Sequence, residues 1–223
     1  EPLLDKSLTR YHILVNGAQV YDSFEDKTLL REELTPQQAM CMLHFLKSRN
    51  VLRGVYIDGL GHMSREDFSE IEAVAATPAT AALMRRSYQT DEDLDAVTAQ
   101  HDSVQKIIAF FRNPDDKQAT IREITARFPG YAVSSSLGNN IEINAKNATK
   151  GSALCFLCEK IGVPIGQCMA FGDGTNDYSM LRAAGFGVAM GNASEEVQSC
   201  ADAVTETNEE DGVARMIERV LEL

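Results

Sequence analysis

The sequence predicts an α/β protein: a doubly wound parallel sheet interrupted by an inserted α+β unit. From Thr149 to Leu221 short apolar strands alternate with helical segments, the order that parallel pairing requires. Between Ser23 and Ala145 the order changes to helices, strand, helices, strand, helix, strand, strand, which fits a separate unit placed inside the first. Composition allows this. The chain has 223 residues, 44% hydrophobic and 24% charged, enough to bury a core as one large domain or two smaller ones. The expected division is residues 1–22 with 146–223 for the sheet unit and 23–145 for the insertion.

The elements follow from local signals. Tyr11–Val15 is a short apolar run that reads as a buried strand, and Asn16-Gly17 is a hairpin signal before Ala18–Tyr21. Thr35, Pro36 and Gln38 mark a capped helix with Ala39, Met42, Leu43 and Leu46 on its apolar face. Val51–Ile57 reads as a strand broken at Asp58-Gly59 and Gly61, and Arg65 to Arg86 as mostly helical with Pro78 interrupting. Gln105–Phe111 is a strand, Asp115–Phe128 an amphipathic helix, and Tyr131–Ser135 and Ile141–Asn144 two further strands. Thr149 caps a helix that Gly162 ends. Strands at Gln167–Phe171, Phe186–Met190 and Ala203–Thr207 then alternate with helices at Asn176–Ala184, Ser194–Cys200 and Asp211–Leu221.

Charge narrows the partners. With 21 basic and 33 acidic side chains the net charge is −12, which disfavours nucleic acid because phosphate backbones attract basic faces. No run approaches the roughly 20 apolar residues that span a bilayer, so a membrane is not an expected partner. The five cysteines form no disulfide framework. Cys155-x-x-Cys158 sits among apolar neighbours with no second pair at zinc spacing, so both read as structural residues of a helix in the reducing cytoplasm.

The segment richest in chemistry is Met169–Asp177, where an apolar strand ends in Gly172-Asp173 and a helix opens near Asn176-Asp177. Ligands of doubly wound sheets bind at the carboxyl ends of strands. Two carboxylates four residues apart repel unless a cation neutralises them, and hard oxygen donors suit magnesium. The alternative is plainer: Asp173 forms a turn and Asp177 is a first-turn acid of the helix. Lys150 lies in a helix's first turn, where a cation opposes the helix dipole, so either an anion or solvent faces it.

Taken together, Lys150–Leu154, Phe171–Asp177, Met180-Leu181, Ala184-Gly185, Gly187–Ala193 and Asp211–Val213 closely resemble the haloacid dehalogenase superfamily, specifically its Cof-type phosphatases of subfamily IIB. Asn16-Gly17-Ala18 and the strand from Asn140 to Asn144 resemble it too. The resemblance implies a Rossmann-like core with a cap domain, and a magnesium-dependent phosphatase of small phosphorylated metabolites such as sugar phosphates. It implies that Asp173 binds Mg2+ directly, that Asp177 helps hold the metal and its water, and that Lys150 steadies the nucleophile and the transferring phosphoryl group. Asn176 would lie within reach of the phosphate, and Asn16 and Gly17 at the site entrance, with a plain hairpin turn as the alternative for that pair. In the cap, Asp58, His62, Asn139 and Glu142 read as solvated or structural groups.

The family's nucleophile belongs to an Asp-x-Asp-Gly-Thr motif that these 223 residues do not contain. Asp91-Glu-Asp93 follows no buried strand, and Val55–Gly59 has one acid only. The family's Ser/Thr motif is absent as well. Because the nucleophile's strand lies mid-sheet in this family, the expectation is that a few dozen further residues precede Glu1. Two other readings stay open: a hexose phosphomutase, although Arg85-Arg86 is an isolated pair, and a non-catalytic ligand-binding relative.

Overall fold

The computed structural model describes residues 9–136 and 138–222; the first eight residues, expected in the sheet unit, lie outside them. The chain divides into two compact units, residues 9–30 with 149–222, and Arg31–Ala148. The first opens with a three-stranded sheet in the order β1 (Tyr11–Leu14), β2 (Gln19–Asp22) and β3 (Lys27–Arg31), with β1 and β2 antiparallel. Leu14 pairs with Gln19, so Asn16-Gly17 sits in a four-residue connection with positive φ at Val15, Asn16 and Gly17. Buried Asp22 receives the Arg10 guanidinium through Nε at 3.0 Å and Nη2 at 2.7 Å. It also accepts the backbone N–H groups of Phe24 and Glu25, which shape the turn into β3. The Arg10 hydrogen bond, with those backbone donors, holds this carboxyl at about 2.

The inserted unit begins at α1 (Pro36–Lys47), capped as the sequence indicates: Gln38 N–H donates to Thr35 Oγ1 and Thr35 N–H to Gln38 Oε1. There follow β4 (Val51–Ile57), β5 (Leu60–Ser64), α2 (Arg65–Ser69), α3 (Pro78–Ser87), β6 (Tyr88–Asp91), α4 (Leu94–Ala99), β7 (Lys106–Phe111), α5 (Asp115–Arg127), β8 (Tyr131–Ser134) and β9 (Asn140–Ala145). The strands form one six-stranded sheet, β6-β5-β4-β7-β9-β8, in which β5 and β6 alone pair in parallel. Alternation in β4 and β7 sends Val55, Ile57, Ile107 and Phe111 against Met42, Leu46, Leu94 and Ile124 of the helices. The intervening residues, among them Leu52, Ile108 and Phe110, pack on Ile71, Ala81 and Met84.

Five elements depart from the expectations or refine them. Asp58-Gly59 is the tip of a β4–β5 hairpin, with φ of 50° and 81°, so it joins two strands and does not end the pairing. Pro78 starts α3 behind the Thr77 cap, where its missing N–H costs nothing. Tyr88–Asp91 is an edge strand with Tyr88 alone fully buried, and α4 is a six-residue helix capped by Asp93. β3, with charged ends, completes the list of elements the residue pattern did not reveal.

The chain then returns to the first unit through α6 (Lys150–Ile161), β10 (Met169–Gly172), α7 (Tyr178–Ala183), β11 (Phe186–Ala189), α8 (Glu195–Gln198), β12 (Ala203–Val204) and α9 (Gly212–Leu221). The strands pair in parallel as expected, Met169 beside Phe186 and Val188 beside Ala203, over a small core of Ala170, Leu181, Ala189 and Val197. Among the described residues β10 has one strand neighbour, β11. No helix among them is long and apolar enough to cross a membrane. The start of α6 packs tightly on α7: Gly151 N–H donates to Ser179 Oγ at 3.0 Å, and a Cβ at 151 would lie 2.2 Å from the Ser179 carbonyl oxygen.

Gly151→Ala is therefore expected to destabilise the protein by about 1–3 kcal/mol, as overpacking does, measured by urea unfolding; an unchanged midpoint would mean the two helices separate freely. A second expectation concerns Asp22. Its folded pKa lies below the roughly 3.9 of an unfolded aspartate, so its stabilisation is fully present above that value and fades as pH falls toward about 2. Thermal melts should show Asp22→Asn less stable than wild type at neutral pH, with the gap narrowing below about pH 4. A gap independent of pH would sink this.

Candidate active site

Thr149 ends its extended approach by accepting the Ser152 N–H at 3.1 Å, and this cap sets Lys150 as the first residue of α6. A cation at the positive end of a helix dipole needs an anion. It finds one in Asp177, whose Oδ1 accepts from Lys150 Nζ at 2.5 Å. Asp177 is buried and Lys150 about a quarter exposed. The other Asp177 oxygen accepts the backbone N–H groups of Asp173 and Gly174, each at 3.0 Å. One carboxylate thus ties the loop after β10 to the start of α6.

Asp173 stands at the carboxyl end of β10, exposed, and its Oδ2 accepts from Asn192 Nδ2 at 2.9 Å. Asn192 is fixed in turn by the Asn208 N–H, which donates to its Oδ1 at 3.0 Å. Lys150, Asp173 and Asp177 line one pocket of about 490 Å³, whose other walls include Ile13, Met180, Met190 and Val213. The geometry therefore brings together the three residues that the sequence singles out for chemistry.

It treats the other three differently. Asn176 Nδ2 donates to Asn16 Oδ1 at 3.4 Å, so these two asparagines meet each other, and neither is among the pocket's lining residues. Gly17 is buried with φ of 99°, and a Cβ there would fall 2.2 Å from the Thr149 carbonyl oxygen. Its position lets the β1–β2 connection press against the residue that caps α6. The structure gives Gly17 a packing contact behind Lys150. Asn192 and Ser179 are the partners that residue reasoning missed. Asn192 lies within Gly187–Ala193, a segment already conspicuous, but nothing local shows that its amide reaches Asp173.

The donor set can be matched against a metal. Asp177 has both oxygens hydrogen-bonded, which holds the loop, and Oδ1, with one donor among the described residues, keeps a further lone pair. Asp173 keeps one oxygen without a hydrogen bond among the described residues, at the pocket surface. Among those residues no group of three His, Cys, Asp or Glu could hold an ion. A single carboxylate oxygen with water and substrate oxygens around it is a set that suits magnesium, which usually keeps several waters. It does not suit zinc, which favours histidine and cysteine.

Comparison with known proteins agrees with the motifs. The family profile of haloacid dehalogenase-like hydrolases matches residues 2–217. A phosphatase of Bacillus subtilis, YwpJ, is 51% identical over 87 residues, 39% of this chain and 30% of that protein. The 5-amino-6-(5-phospho-D-ribitylamino)uracil phosphatase YcsE of the same organism is 42% identical over 103 residues, 46% of this chain and 41% of its own length. The matched segments thus span well under half of these curated relatives. The structure of a haloacid dehalogenase-like hydrolase from Bacillus subtilis superposes with a TM-score of 0.80 at 29% identity, covering 93% of this chain and 78% of that one. A match over nearly the whole length, joined to a parallel sheet whose strand end carries Asp173, places this chain in the haloacid dehalogenase-like hydrolase family.

Proposed function

We propose that the chain carries the phosphate-handling part of a magnesium-dependent phosphatase acting on small phosphorylated metabolites, such as sugar phosphates, through an aspartyl-phosphate intermediate. The observation that supports this most directly is the convergence of Lys150, Asp177 and Asp173 on one pocket at the end of β10. The phosphatase names of the relatives, one of them naming a phosphorylated ribitylamino compound, support the same class.

In this reading Asp173 would bind Mg2+ directly, with Asn192 fixing its carboxylate, and Asp177 would help hold the metal and its water. When bound, the ion would neutralise charge on the phosphoryl oxygens, where phosphoryl transfer needs it. Lys150 presents its ammonium to the pocket wall, held by Asp177, and shares that neutralisation. Asn16 and Asn176 belong to the substrate side, positioned by their mutual contact. The nucleophilic carboxylate is assigned to no residue of the 223. The inserted unit acts as the cap, excluding water and selecting the leaving group. The setting is the cytoplasm, in keeping with five free thiols.

The full-length protein should hydrolyse para-nitrophenyl phosphate when magnesium is supplied. Asp173→Asn should lose that activity, and Lys150→Ala should lower kcat by about 10²–10³-fold, the scale for removing one electrostatic stabiliser. Full activity in Asp173→Asn would refute the metal assignment, and wild-type protein that binds phosphate esters without hydrolysing them would favour a non-catalytic relative. Asn192→Ala should raise the magnesium concentration needed for half-maximal activity by roughly 10–100-fold, the usual effect of losing a group that orients a ligand. An unchanged magnesium requirement would show that Asp173 needs no such support.

A further inference from the structure

Cys155 and Cys158 lie one turn apart in α6, and the function above uses neither. The structure pairs Cys158 with a different residue. Its Sγ lies 3.2 Å from the Sγ of Cys168, which leads into β10. Cys158 is buried, Cys168 half-buried and Cys155 exposed. A disulfide has an S–S length of about 2.05 Å, so the two sulfurs need to close by roughly 1 Å. The segment between them is exposed from Ile161 to Pro164, and the Cys158 carbonyl accepts the Val163 N–H at 2.9 Å, so the chain turns back at once to bring the two sulfurs together.

We propose that Cys158 and Cys168 form an oxidation-sensitive modification site, closing to an intramolecular disulfide when the protein meets hydrogen peroxide. Cys168 is the thiol that the oxidant reaches, because Cys158 is shielded. Burial, reinforced by the hydrogen bond with Cys168, also pushes the Cys158 thiol up to about 11, which keeps it protonated at neutral pH. The Cys168 thiolate attacks one peroxide oxygen, the O–O bond breaks, and hydroxide leaves a sulfenic acid behind. The Cys158 sulfur then attacks the Cys168 sulfur, the S–O bond breaks, and the departing hydroxide takes the Cys158 proton as water. Two thiols lose two electrons and two protons, and one peroxide becomes two waters.

The cross-link would join the far end of α6 to the start of β10. These two elements deliver Lys150 and Asp173 at their opposite ends, and neither cysteine lines the pocket. The bond would tie the two elements together without blocking the pocket. The inference rests on the thiol geometry alone and not on the catalytic reading.

The test is an equimolar dose of hydrogen peroxide on the purified protein, followed by thiol counting and tryptic mapping without reductant. Trypsin separates Gly151–Lys160, which holds Cys155 and Cys158, from Ile161–Arg182, which holds Cys168. Two of the five thiols should disappear, the two peptides should run as one cross-linked species, and dithiothreitol should restore both. Cys155→Ser should keep the cross-link, whereas Cys168→Ser and Cys158→Ser should each lose it; Cys168→Ser changes the more accessible partner, so the proposal stays testable if Cys158→Ser fails to fold. A link through Cys155, a link between two copies, over-oxidised Cys168 without a link, or five thiols remaining would each overturn the proposal.

Discussion

Asp177 is the constraint on which the pocket depends. One of its oxygens holds the ammonium of Lys150 and the other gathers two successive backbone N–H groups, of Asp173 and Gly174. A buried carboxylate with any of these partners missing would be costly, since an unsatisfied charged group pays a full desolvation penalty. Satisfying all three fixes the distance between the start of α6 and the end of β10. It also resolves a conflict within α6, whose first residue is a cation at the positive end of the helix dipole. The charges that would handle phosphate are therefore part of what holds the loop in place.

Around this pair the packing is tight because small groups permit it. Gly17 lets the β1–β2 connection approach Thr149, and Gly151 lets α6 approach Ser179. The two contacts press on neighbouring residues of one helix start from different elements. Asp173 is left less constrained, exposed, and steadied through a single amide from Asn192. The division suits the proposed site, in which the lysine would be rigid while the carboxylate assigned to the metal would admit water and substrate.

What could be read in advance follows the range of the interactions involved. Thr149 and Gly162 bound α6, and Thr35 with Gln38 starts α1, because capping is decided within four residues. The run Lys106–Phe111 is buried on both faces, so its strand was plain. β5 and β6 were obscured by Gly61 and by polar residues: an edge strand with Tyr88 alone fully buried shows no period. In the site, Asp173, Asp177 and Lys150 stood out through chemistry and motif. That Asp177 also gathers the loop's backbone amides did not, because it depends on which amides turn toward which oxygen. Asn192 and Ser179 act across 19 and 28 residues of sequence, where no local pattern reports a contact.

The Gly17–Thr149 contact has a consequence for how the chain is made. Its two sides are separated by the whole inserted unit, more than a hundred residues. At a synthesis rate of about 5–20 residues per second, the first hairpin waits on the order of ten seconds for its partner helix to leave the ribosome. During that interval Ala18 and Val20, fully buried in the finished protein, have no α6 to cover them. The inserted unit has all of its own strands by then and is free to fold. The pocket is thus a late product of translation, and the nascent hairpin carries exposed apolar side chains while it waits.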